Sequence, residues 1–326
     1  MKALLLHFED EMLEAGRLAR AAGLECAVIE RHRFPDDELR LRLPECLPGR
    51  VVVYRSLHRP NEKLLELLLV ARTAGRLGAE HLTLVAPYMA YMRQDVAFRS
   101  GEAVSQRIVG EFLAGLFDGV VTVDPHLHRV NTLAEAVPVP HAIALSGAPL
   151  LADIVAQARP GAVLLGPDAE SAQWVAAAAV RHGFAHAVCT KVRHGDRDVD
   201  ILLPEGLDVS GRAVVLLDDV VSSGHTLAGA TRLLRAAGAA SVDVAVTHAL
   251  FAEMPSRSWR RPVSARCGAP TASRTRAMPS ASRPCSPRPC ARSASPDGPS
   301  IACLIVESGI SMRFMPHRNG SRRASR

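Results

Sequence analysis

One stretch of thirteen residues, 214–226, constrains the fold more than any other part of the chain. It joins an apolar run to two adjacent aspartates, Asp218 and Asp219, then to a loop of small residues, and then to a helical pattern that opens at Thr226. A strand–loop–helix turn of this kind directs backbone N–H groups and the positive end of the helix to one point, which is an arrangement that binds phosphate. Two carboxylates at the end of an apolar strand are costly unless a ligand uses them. The stretch therefore predicts an α/β fold that binds a ligand at this turn.

Short apolar runs alternate with longer helical patterns through most of the chain. The apolar runs predict strands at 3–7, 27–29, 51–54, 81–85, 119–123, 162–165, 187–190, 213–217 and 241–247. The helical patterns predict helices at 9–22, 62–77, 103–116, 148–157, 171–181 and 226–237. Strands that alternate with helices of this length are typical of parallel βαβ units. Because the pattern occurs twice, with a seam near 137–146, we expect two tandem domains, 1–140 and 141–254, each a mainly parallel sheet flanked by helices.

The charge of the chain is divided unevenly. The whole sequence carries +6, but the segment from residue 255 onward has 14 Arg, no Lys and two acidic residues, which gives it a charge of +12 and leaves −6 for residues 1–254. A mildly acidic body argues against a nucleic-acid-binding protein, whose basic residues should lie on the folded domain. No apolar run is long enough to cross a membrane, and the first one is too short for a signal peptide, so we expect a cytoplasmic protein without a membrane partner.

Residues 255–326 interrupt the α/β pattern, because they are rich in Arg, Ser, Pro and Ala and show little periodicity before 301–306. A disordered basic extension is one interpretation of this segment. Our preferred hypothesis is a change of reading frame in a GC-rich coding sequence, since a regular strand pattern continues to Phe251 and stops a few residues later. The second domain would then be truncated. If neither of the other two frames encodes an apolar strand-and-helix pattern after codon 254, the hypothesis is wrong.

Other polar segments suit phosphate and metal chemistry. The guanidinium of Arg93 has several N–H donors that can form hydrogen bonds with phosphate oxygens. Asp124 and His126 follow a predicted strand at its carboxyl end, where the sites of α/β proteins gather, and a carboxylate oxygen is a ligand that Mg²⁺ favours. Lys191 is one of only three lysines in a chain that otherwise uses Arg, which indicates that a compact ammonium is needed there.

Together these segments resemble one protein family. Residues 214–226 resemble the ribose-phosphate loop of the phosphoribosyltransferase fold, and residues 91–102 narrow the resemblance to the ribose-phosphate diphosphokinases, also called phosphoribosyl pyrophosphate synthetases. The further matching segments, in the family's order and near its spacing, are 33–38, 121–128, 165–171 and 190–196. The chain departs from the family pattern at four positions where Gly is usual, which are Asp37, Glu170, Ser171 and His225.

The resemblance implies a role for each matched residue. Lys191 and Arg193 would be catalytic residues at the head of a mobile loop. The ribose-phosphate site would comprise Asp218, Asp219, Ser222, Ser223, Gly224, His225 and Thr226. The ATP site would comprise Phe34, Asp36, Asp37, Glu38, Arg93 and Gln94. Mg²⁺ would be held by His126 and Asp168 with Asp124 nearby, whereas His128 is interpreted as structural or exposed.

By the same resemblance, the chain would transfer the diphosphoryl group of ATP to the 1-hydroxyl of ribose 5-phosphate and release AMP. The family shares its ATP site between subunits, so a homo-oligomer is implied. Two other functions remain open. A phosphoribosyltransferase of the same fold would use residues 214–226 but would need neither the segment with Arg93 and Gln94 nor the doubled architecture. A regulatory relative without activity is the other alternative, and the retained Lys191, Arg193 and paired aspartates argue against it.

Overall fold

The computed structural model describes residues 2–193, 199–222, 224–250 and 303–305, and it describes the backbone alone for residues 191–193, 199–200, 225 and 303–305. The strands are β1 (Ala3–Phe8), β2 (Glu25–Arg33), β3 (Leu39–Arg42), β4 (Arg50–Tyr54), β5 (His81–Val85), β6 (Gly119–Val123), β7 (His141–Leu145), β8 (Val163–Gly166), β9 (Ala185–Val188), β10 (Thr190–Arg193), β11 (Val199–Leu202), β12 (Ala213–Val221), β13 (Ser241–Ala249) and β14 (Cys303–Ile305). The α-helices are α1 (Met12–Ala22), α2 (Pro60–Arg76), α3 (Ser105–Ala114), α4 (Leu133–Ala136), α5 (Ala148–Ala158), α6 (Ala172–His182) and α7 (His225–Ala236). The predicted α/β class is confirmed.

The first sheet has the strand order β3-β2-β1-β4-β5-β6-β7, and every pairing is parallel except that of β2 with β3. Helix α1 covers one face, where Ala15 and Ala19 join Leu5 in a small core. The next residue along β1, Leu6, belongs to a larger core that includes Leu67 of α2. Neighbouring residues of a strand point to opposite faces. Because both faces are covered, the central strands are apolar on both sides, as is usual for parallel sheets.

Strand β7 extends the first sheet past the predicted division between domains. It pairs in parallel with β6, from Gly119↔His141 to Val123↔Leu145. The strand was not predicted, because residues 137–140 contain two prolines and the segment was interpreted as a connection. The chain leaves the first sheet after Leu145, inside the predicted seam at 137–146. The division between residues 140 and 141 stays a prediction.

The second sheet has the strand order β14-β13-β12-β8-β9, and all of its pairings are parallel. Helices α5 and α6 cover one face through a core that contains Leu151 and Val175. Helix α7 covers the other face with Leu227 and Leu234. Strands β10 and β11 form a separate antiparallel ribbon, whose Ile201 joins the core beneath α7.

The predicted strand at 187–190 is divided between this sheet and the ribbon. Strand β9 ends at Val188, the N–H of Cys189 donates to the carbonyl oxygen of Gly166 at 2.9 Å, and β10 begins at Thr190. The prediction was therefore wrong about the end of the strand, because a continuous apolar run does not show where a chain leaves a sheet.

Three residues of the Arg-rich tail also belong to the second sheet. Strand β14 lies beside β13, with pairs from Val244↔Cys303 to Val246↔Ile305. Residues 251–302 and 306–326 lie outside the described residues, so the origin of the tail stays a hypothesis. In the described part of the chain, no helix combines the length and the apolar character that a membrane span needs.

Helices α3 and α4 lie so close together that Gly110 leaves no room for a side chain. A Cβ at Gly110 would lie 1.7 Å from the carbonyl oxygen of Ala136. We expect Gly110→Ala to lower the free energy of unfolding by about 1–3 kcal/mol, because the two backbones must separate. Gly75, exposed near the end of α2, has no atom within 4 Å of its Cβ position. Gly75→Ala should therefore raise the free energy of unfolding by about 0.4–1 kcal/mol.

Urea denaturation of the two variants measures both changes. If Gly110→Ala were as stable as the wild type, the close approach of α3 to the end of α4 would not exist in solution.

Candidate active site

A cleft of about 750 Å³ opens where the segments that follow β6, β8 and β12 come together. These are the carboxyl ends of parallel strands from both sheets, the place where the ligands of α/β proteins bind. The predicted site residues that line this central cleft are Arg93, Asp124, His126, Asp168, Asp218, Asp219, Ser222, Gly224 and Thr226. Segments far apart in the sequence are therefore brought to one place.

Strand β12 leads into the predicted phosphate loop, but it is longer than expected. It continues through Val221 because β13 pairs with it beyond the predicted end, at Asp218↔Val246 and Val220↔His248. The two aspartates therefore lie within the strand and not after it. Their backbone positions are fixed by the sheet, which gives their carboxylates a rigid base.

Helix α7 begins directly after this strand and presents its first turn to the cleft. Gly224 precedes the helix with a φ of 79°, a left-handed conformation that favours glycine. Ser222 and Thr226 line the cleft on either side of it. The free N–H groups and the positive end of α7 are therefore available to an anion. Ser223 lies outside the described residues, and the side chain of His225 is not described.

The two aspartates of β12 differ in their tendency to ionise. Burial raises the pKa of Asp218 well above its ordinary value, and the charges of Asp219 and Asp168 add to this effect. Burial also acts to raise the pKa of Asp219, but the hydrogen bond and the charge of His126 outweigh it, so that this pKa lies below its ordinary value. Nδ1 of His126 lies 2.7 Å from Oδ2 of Asp219. Burial lowers the pKa of His126, and Asp219 more than compensates, so that the pKa is raised.

The His126–Asp219 pair should make stability depend on pH. The pKa of His126 is raised in the folded protein, so its contribution is fully present below an unfolded pKa of about 6.5 and is lost as the pH rises through the folded value. The pKa of Asp219 is lowered, so its contribution is present above about pH 3.9 and is lost as the pH falls. We expect the wild-type protein to exceed His126→Asn in free energy of unfolding mainly between about pH 4 and 6.5.

Urea denaturation of both proteins at several pH values measures this difference. A difference that increases from about pH 6.5 upward would contradict the assigned pair, because the imidazole of His126 loses its positive charge as the pH rises and Asp219 then has no charged partner.

Asp124 connects the end of β6 to the second sheet. Its Oδ2 accepts the N–H of Gly147 at 3.0 Å and the hydroxyl of Thr247 at 2.7 Å. The two oxygen atoms that would contact a Cβ at Gly147, Oδ2 of Asp124 and Oγ1 of Thr247, would each lie 2.9 Å from it, so a larger residue there would have to displace these side chains. Asp124 itself has a φ of 40°, which is uncommon for a residue other than glycine. We call Asp124, Gly147 and Thr247 the Asp124 clamp. It fixes the loop that carries His126 against the start of α5 and the end of β13.

His126 also lies beside two side chains that were not predicted to bind metal. The candidate ligand atoms of His126, His128 and Glu170 all lie within 4.8 Å of one another. The two imidazole rings meet edge to face with their centroids 4.1 Å apart, and Nδ1 of His128 lies 3.6 Å from Oε1 of Glu170. Asp168 lines the same cleft, and its Oδ1 accepts the N–H of Glu170 at 3.2 Å. His128 is exposed as a whole residue, but its side chain is only 22% exposed and lines the cleft.

The residues expected to bind the nucleotide are divided between two places. Arg93 lines the central cleft, whereas Oε1 of Gln94 accepts the hydroxyl of Ser105 at 2.9 Å near the start of α3. The turn between β2 and β3 holds the other members of the set, and none of them lines the cleft of its own chain; these are Phe34, Asp36, Asp37 and Glu38. Asp37 has a φ of 76°, a left-handed conformation that favours glycine. Glycine is the residue usual at this position in the family that the segment resembles.

The two expected catalytic residues lie on the first strand of the ribbon. In β10, Lys191 is opposite Ile201 and Arg193 is opposite Val199 of β11. Only the backbone is described for this pair, and residues 194–198, which connect the two strands, lie outside the described residues. The catalytic role of Lys191 and Arg193 stays a prediction.

Sequence patterns did not indicate every residue that shapes the cleft. Thr247 and His248 lie at the end of β13 and bond to the end of β6 and the residue after it. Thr247 donates to Asp124, and Nε2 of His248 lies 2.7 Å from the carbonyl oxygen of Val123, the last residue of β6. The sequence signal for these two residues was that Thr247 and His248 are a polar pair at the end of the apolar strand β13. The spacing of His126 and His128, two residues apart, was the signal for the cluster that these two residues form with Glu170.

Comparisons with known proteins agree with this arrangement. The N-terminal domain of ribose phosphate pyrophosphokinase matches residues 5–116, and the phosphoribosyl transferase domain matches residues 141–258. The second match ends close to the point where the sequence pattern breaks down.

Relatives with high coverage support the same family. Ribose-phosphate pyrophosphokinase of Methanopyrus kandleri is 38% identical over 238 residues, which are 72% of this chain and 80% of that protein. Ribose-phosphate pyrophosphokinase 2 of Archaeoglobus fulgidus is 36% identical over 241 residues, 74% of this chain and 83% of that protein. The crystal structure of phosphoribosylpyrophosphate synthetase from Mycobacterium smegmatis gives a TM-score of 0.66 at 25% identity and covers 77% of this chain and 82% of its own. With this identity over most of both chains, the protein belongs to the ribose-phosphate pyrophosphokinase family.

Proposed function

We propose that the chain transfers the diphosphoryl group of ATP to the 1-hydroxyl of ribose 5-phosphate, giving 5-phosphoribosyl 1-diphosphate and AMP for nucleotide biosynthesis. The observation that carries this proposal is the composition of the central cleft. Arg93 and His126 of the first sheet's loops meet the paired aspartates and the phosphate loop of the second sheet. A cleft that both halves of the chain build suits a reaction between two phosphorylated substrates.

The second sheet would bind ribose 5-phosphate. The N-terminus of α7 and the backbone around Gly224 suit the 5-phosphate, because both present N–H donors to an anion. Asp218 and Asp219 suit the ribose hydroxyls, since an ionised carboxylate accepts hydrogen bonds and a protonated one can donate. The rigid strand beneath the two aspartates would hold the 1-hydroxyl in place for attack.

The first sheet would bind the nucleotide and the ribbon would approach the transferred group. Arg93 has the donor geometry for polyphosphate oxygens. The ribose 1-hydroxyl would attack the β-phosphorus in line and AMP would leave, a reaction that depends on positioning and charge neutralisation. Lys191 and Arg193 would neutralise the charge that develops on the transferred group. The other nucleotide contacts in this proposal are Gln94, Phe34, Asp36, Asp37 and Glu38.

The proposal includes a requirement for Mg²⁺. His126 and Asp168 would hold the ion, with Asp124 nearby. The fit is supported by the carboxylates that line the cleft, because Mg²⁺ prefers oxygen donors and is commonly held by one or two carboxylates together with substrate phosphates. When bound, the ion would supply charge neutralisation at the phosphates.

We also infer a cytoplasmic homo-oligomer whose ATP site is shared between subunits. The turn that contains Phe34 lies outside the lining of its own cleft, which supports a role in the cleft of a partner subunit. Co-expression of Phe34→Ala with Asp219→Asn would test this. If the turn serves the partner, a mixed dimer keeps one intact site, and roughly a quarter of the wild-type activity should return.

Each variant expressed alone should be nearly inactive in that experiment. If the mixed preparation were no more active than the separate ones, the two residues would serve the same cleft within one chain.

The proposed reaction is tested by AMP release from ATP and Mg²⁺, with and without ribose 5-phosphate. Release that depends on ribose 5-phosphate would support the reaction and would show that residues 255–326 are tolerated. If nothing is released, the assay is repeated on a chain whose reading frame is restored after codon 254. Activity only in the restored chain would assign the loss to the tail. Inactivity in both chains would favour a regulatory relative.

A further inference from the structure

We propose that His126, His128 and Glu170 form a binding site for a divalent transition-metal ion such as Zn²⁺, Co²⁺ or Ni²⁺. The proposed function assigns His126 to Mg²⁺ but gives no role to His128 or Glu170. Metal binding by the three side chains needs neither ATP nor ribose 5-phosphate, so it can be tested apart from the reaction.

The first observation is geometric. The candidate ligand atoms lie within 4.8 Å of one another, a spread that small movements of the side chains can close around one ion. The side chains of His126 and His128 are 21% and 22% exposed, and that of Glu170 is 57% exposed, so an ion can enter from solvent. Three protein ligands leave a further position for water or a phosphate oxygen, as in open zinc sites.

The second observation is the hydrogen bond between His126 and Asp219. Asp219 holds Nδ1 of His126 at 2.7 Å, which leaves Nε2 with a free lone pair. A histidine that binds metal usually donates its other N–H to a carboxylate, which fixes the orientation of the ring. His126 therefore already has the second hydrogen bond of a metal-bound histidine, without any contribution from His128 or Glu170.

The ligand set determines the class of ion. Two imidazoles and one carboxylate suit Zn²⁺, Co²⁺ and Ni²⁺, whereas Mg²⁺ prefers oxygen ligands and retains several waters. The electrostatic field of the cleft favours a cation of either class. Among the described residues that line it, Arg93 is the single guanidinium, and the carboxylates are those of Asp124, Asp168, Glu170, Asp218 and Asp219.

The shared ligand has a consequence that depends on the proposed function. A transition metal bound to His126 removes that imidazole from the Mg²⁺ ligands, so the two ions should compete. Zn²⁺ should therefore inhibit AMP release that depends on Mg²⁺, and His128→Ala should relieve the inhibition while Mg²⁺-dependent release continues.

Titration of the purified full-length protein with Co²⁺, followed by visible absorption, tests the site without any substrate. We expect ligand-field bands in the wild type, and at least a roughly tenfold weaker affinity in His128→Ala and in Glu170→Gln. His186→Ala is the matched control, because His186 is an exposed histidine of β9 outside the cluster and its loss should change nothing. Thiolate ligation by cysteines elsewhere gives sulfur-to-cobalt charge-transfer bands and is counted separately.

The outcomes separate this inference from the proposed function. If His128→Ala and Glu170→Gln bind Co²⁺ as tightly as the wild type, the site does not exist, whatever the activity. If they bind it weakly while no form of the protein releases AMP, the metal site stands and the proposed reaction fails. Circular dichroism of each variant confirms that a weaker affinity does not come from unfolding.

Discussion

Arg55→Ala should lower the free energy of unfolding by about 3–5 kcal/mol, because it leaves buried carboxylates without their counter-ion. Arg55 follows β4 and is 1% exposed. Its Nε lies 2.8 Å from Oε2 of Glu66, and its Nη1 lies 3.1 Å from Oε2 of Glu11 and 2.9 Å from Oδ2 of Asp10. The guanidinium also lies 4.4 Å from the centroid of the Phe8 ring. One side chain therefore pairs with three acids, of which Asp10 and Glu11 follow β1 and Glu66 lies on α2.

The loss of stability in Arg55→Ala depends on whether the remaining acids can be solvated by water, protonated or paired with another cation. Glu66 is fully buried and Glu11 is 5% exposed, so water cannot replace the lost donors. Burial already raises the pKa of Glu11, and the charges of Arg55 and Lys63 oppose that rise. Without Arg55, Glu11 should become protonated at a higher pH. Arg31, which pairs with Oε1 of Glu66 at 2.5 Å, compensates only in part.

Urea denaturation of Arg55→Ala and Arg42→Ala measures the effect against a matched control. Arg42 pairs with Glu30 on the surface of the β2–β3 pair, where water screens the charges and an ion pair contributes little. Its loss should be nearly neutral. Equal changes in the two variants would show that the buried network contributes no more than a surface pair.

The fold was predictable where a strand is both apolar and bounded by turns. Strands β5 and β6 have the bounds that were expected, because each is a short apolar run between a helical pattern and a polar loop. Strand β3 was missed although its Leu-Arg-Leu-Arg alternation is typical of a half-buried strand, because four residues are too short for confident periodicity. Strand β7 was missed because it follows the two prolines of 137–140, and the segment was interpreted as the connection between the domains.

The site was predictable in its parts but not in its pairings. His126 and Asp219 were each indicated by their own segments, but they are 93 residues apart, and only the packing of the two sheets shows that they form a hydrogen bond. Thr247 was not indicated as a site residue, and its hydrogen bond to Asp124, 123 residues away in the sequence, likewise depends on the packing of the two sheets. Sequence patterns identify residues at strand ends. They do not determine which strand ends from two different sheets face each other.

Asp124→Ala should reduce kcat for AMP release on the order of 100-fold, whereas Asp124→Asn should cost only a few-fold. The clamp bonds from Gly147 and Thr247 both end on Oδ2 of Asp124. The amide oxygen of Asn can accept both of them, whereas Ala accepts neither. Without the clamp, the loop that carries His126 is free to shift relative to Asp219, and a misplacement of about 1 Å can cost that much in rate. The measurement is steady-state AMP release at saturating substrates, made on the form of the chain that is active.

The Asn variant separates the two roles that Asp124 can have. If Asp124 acts through its charge beside Mg²⁺, Asn loses the charge and should be as slow as Ala, with a higher Mg²⁺ concentration needed for half-maximal rate. If Asp124 acts by holding the loop, Asn restores the rate and the Mg²⁺ requirement is unchanged. Thr247→Val, which removes one clamp donor and keeps the shape of the side chain, should then fall between the wild type and Asp124→Ala. The opposite result would be a Thr247→Val protein as fast as the wild type together with a slow Asp124→Asn protein. It would show that Asp124 acts through its charge beside the metal and that other residues hold the two sheets together.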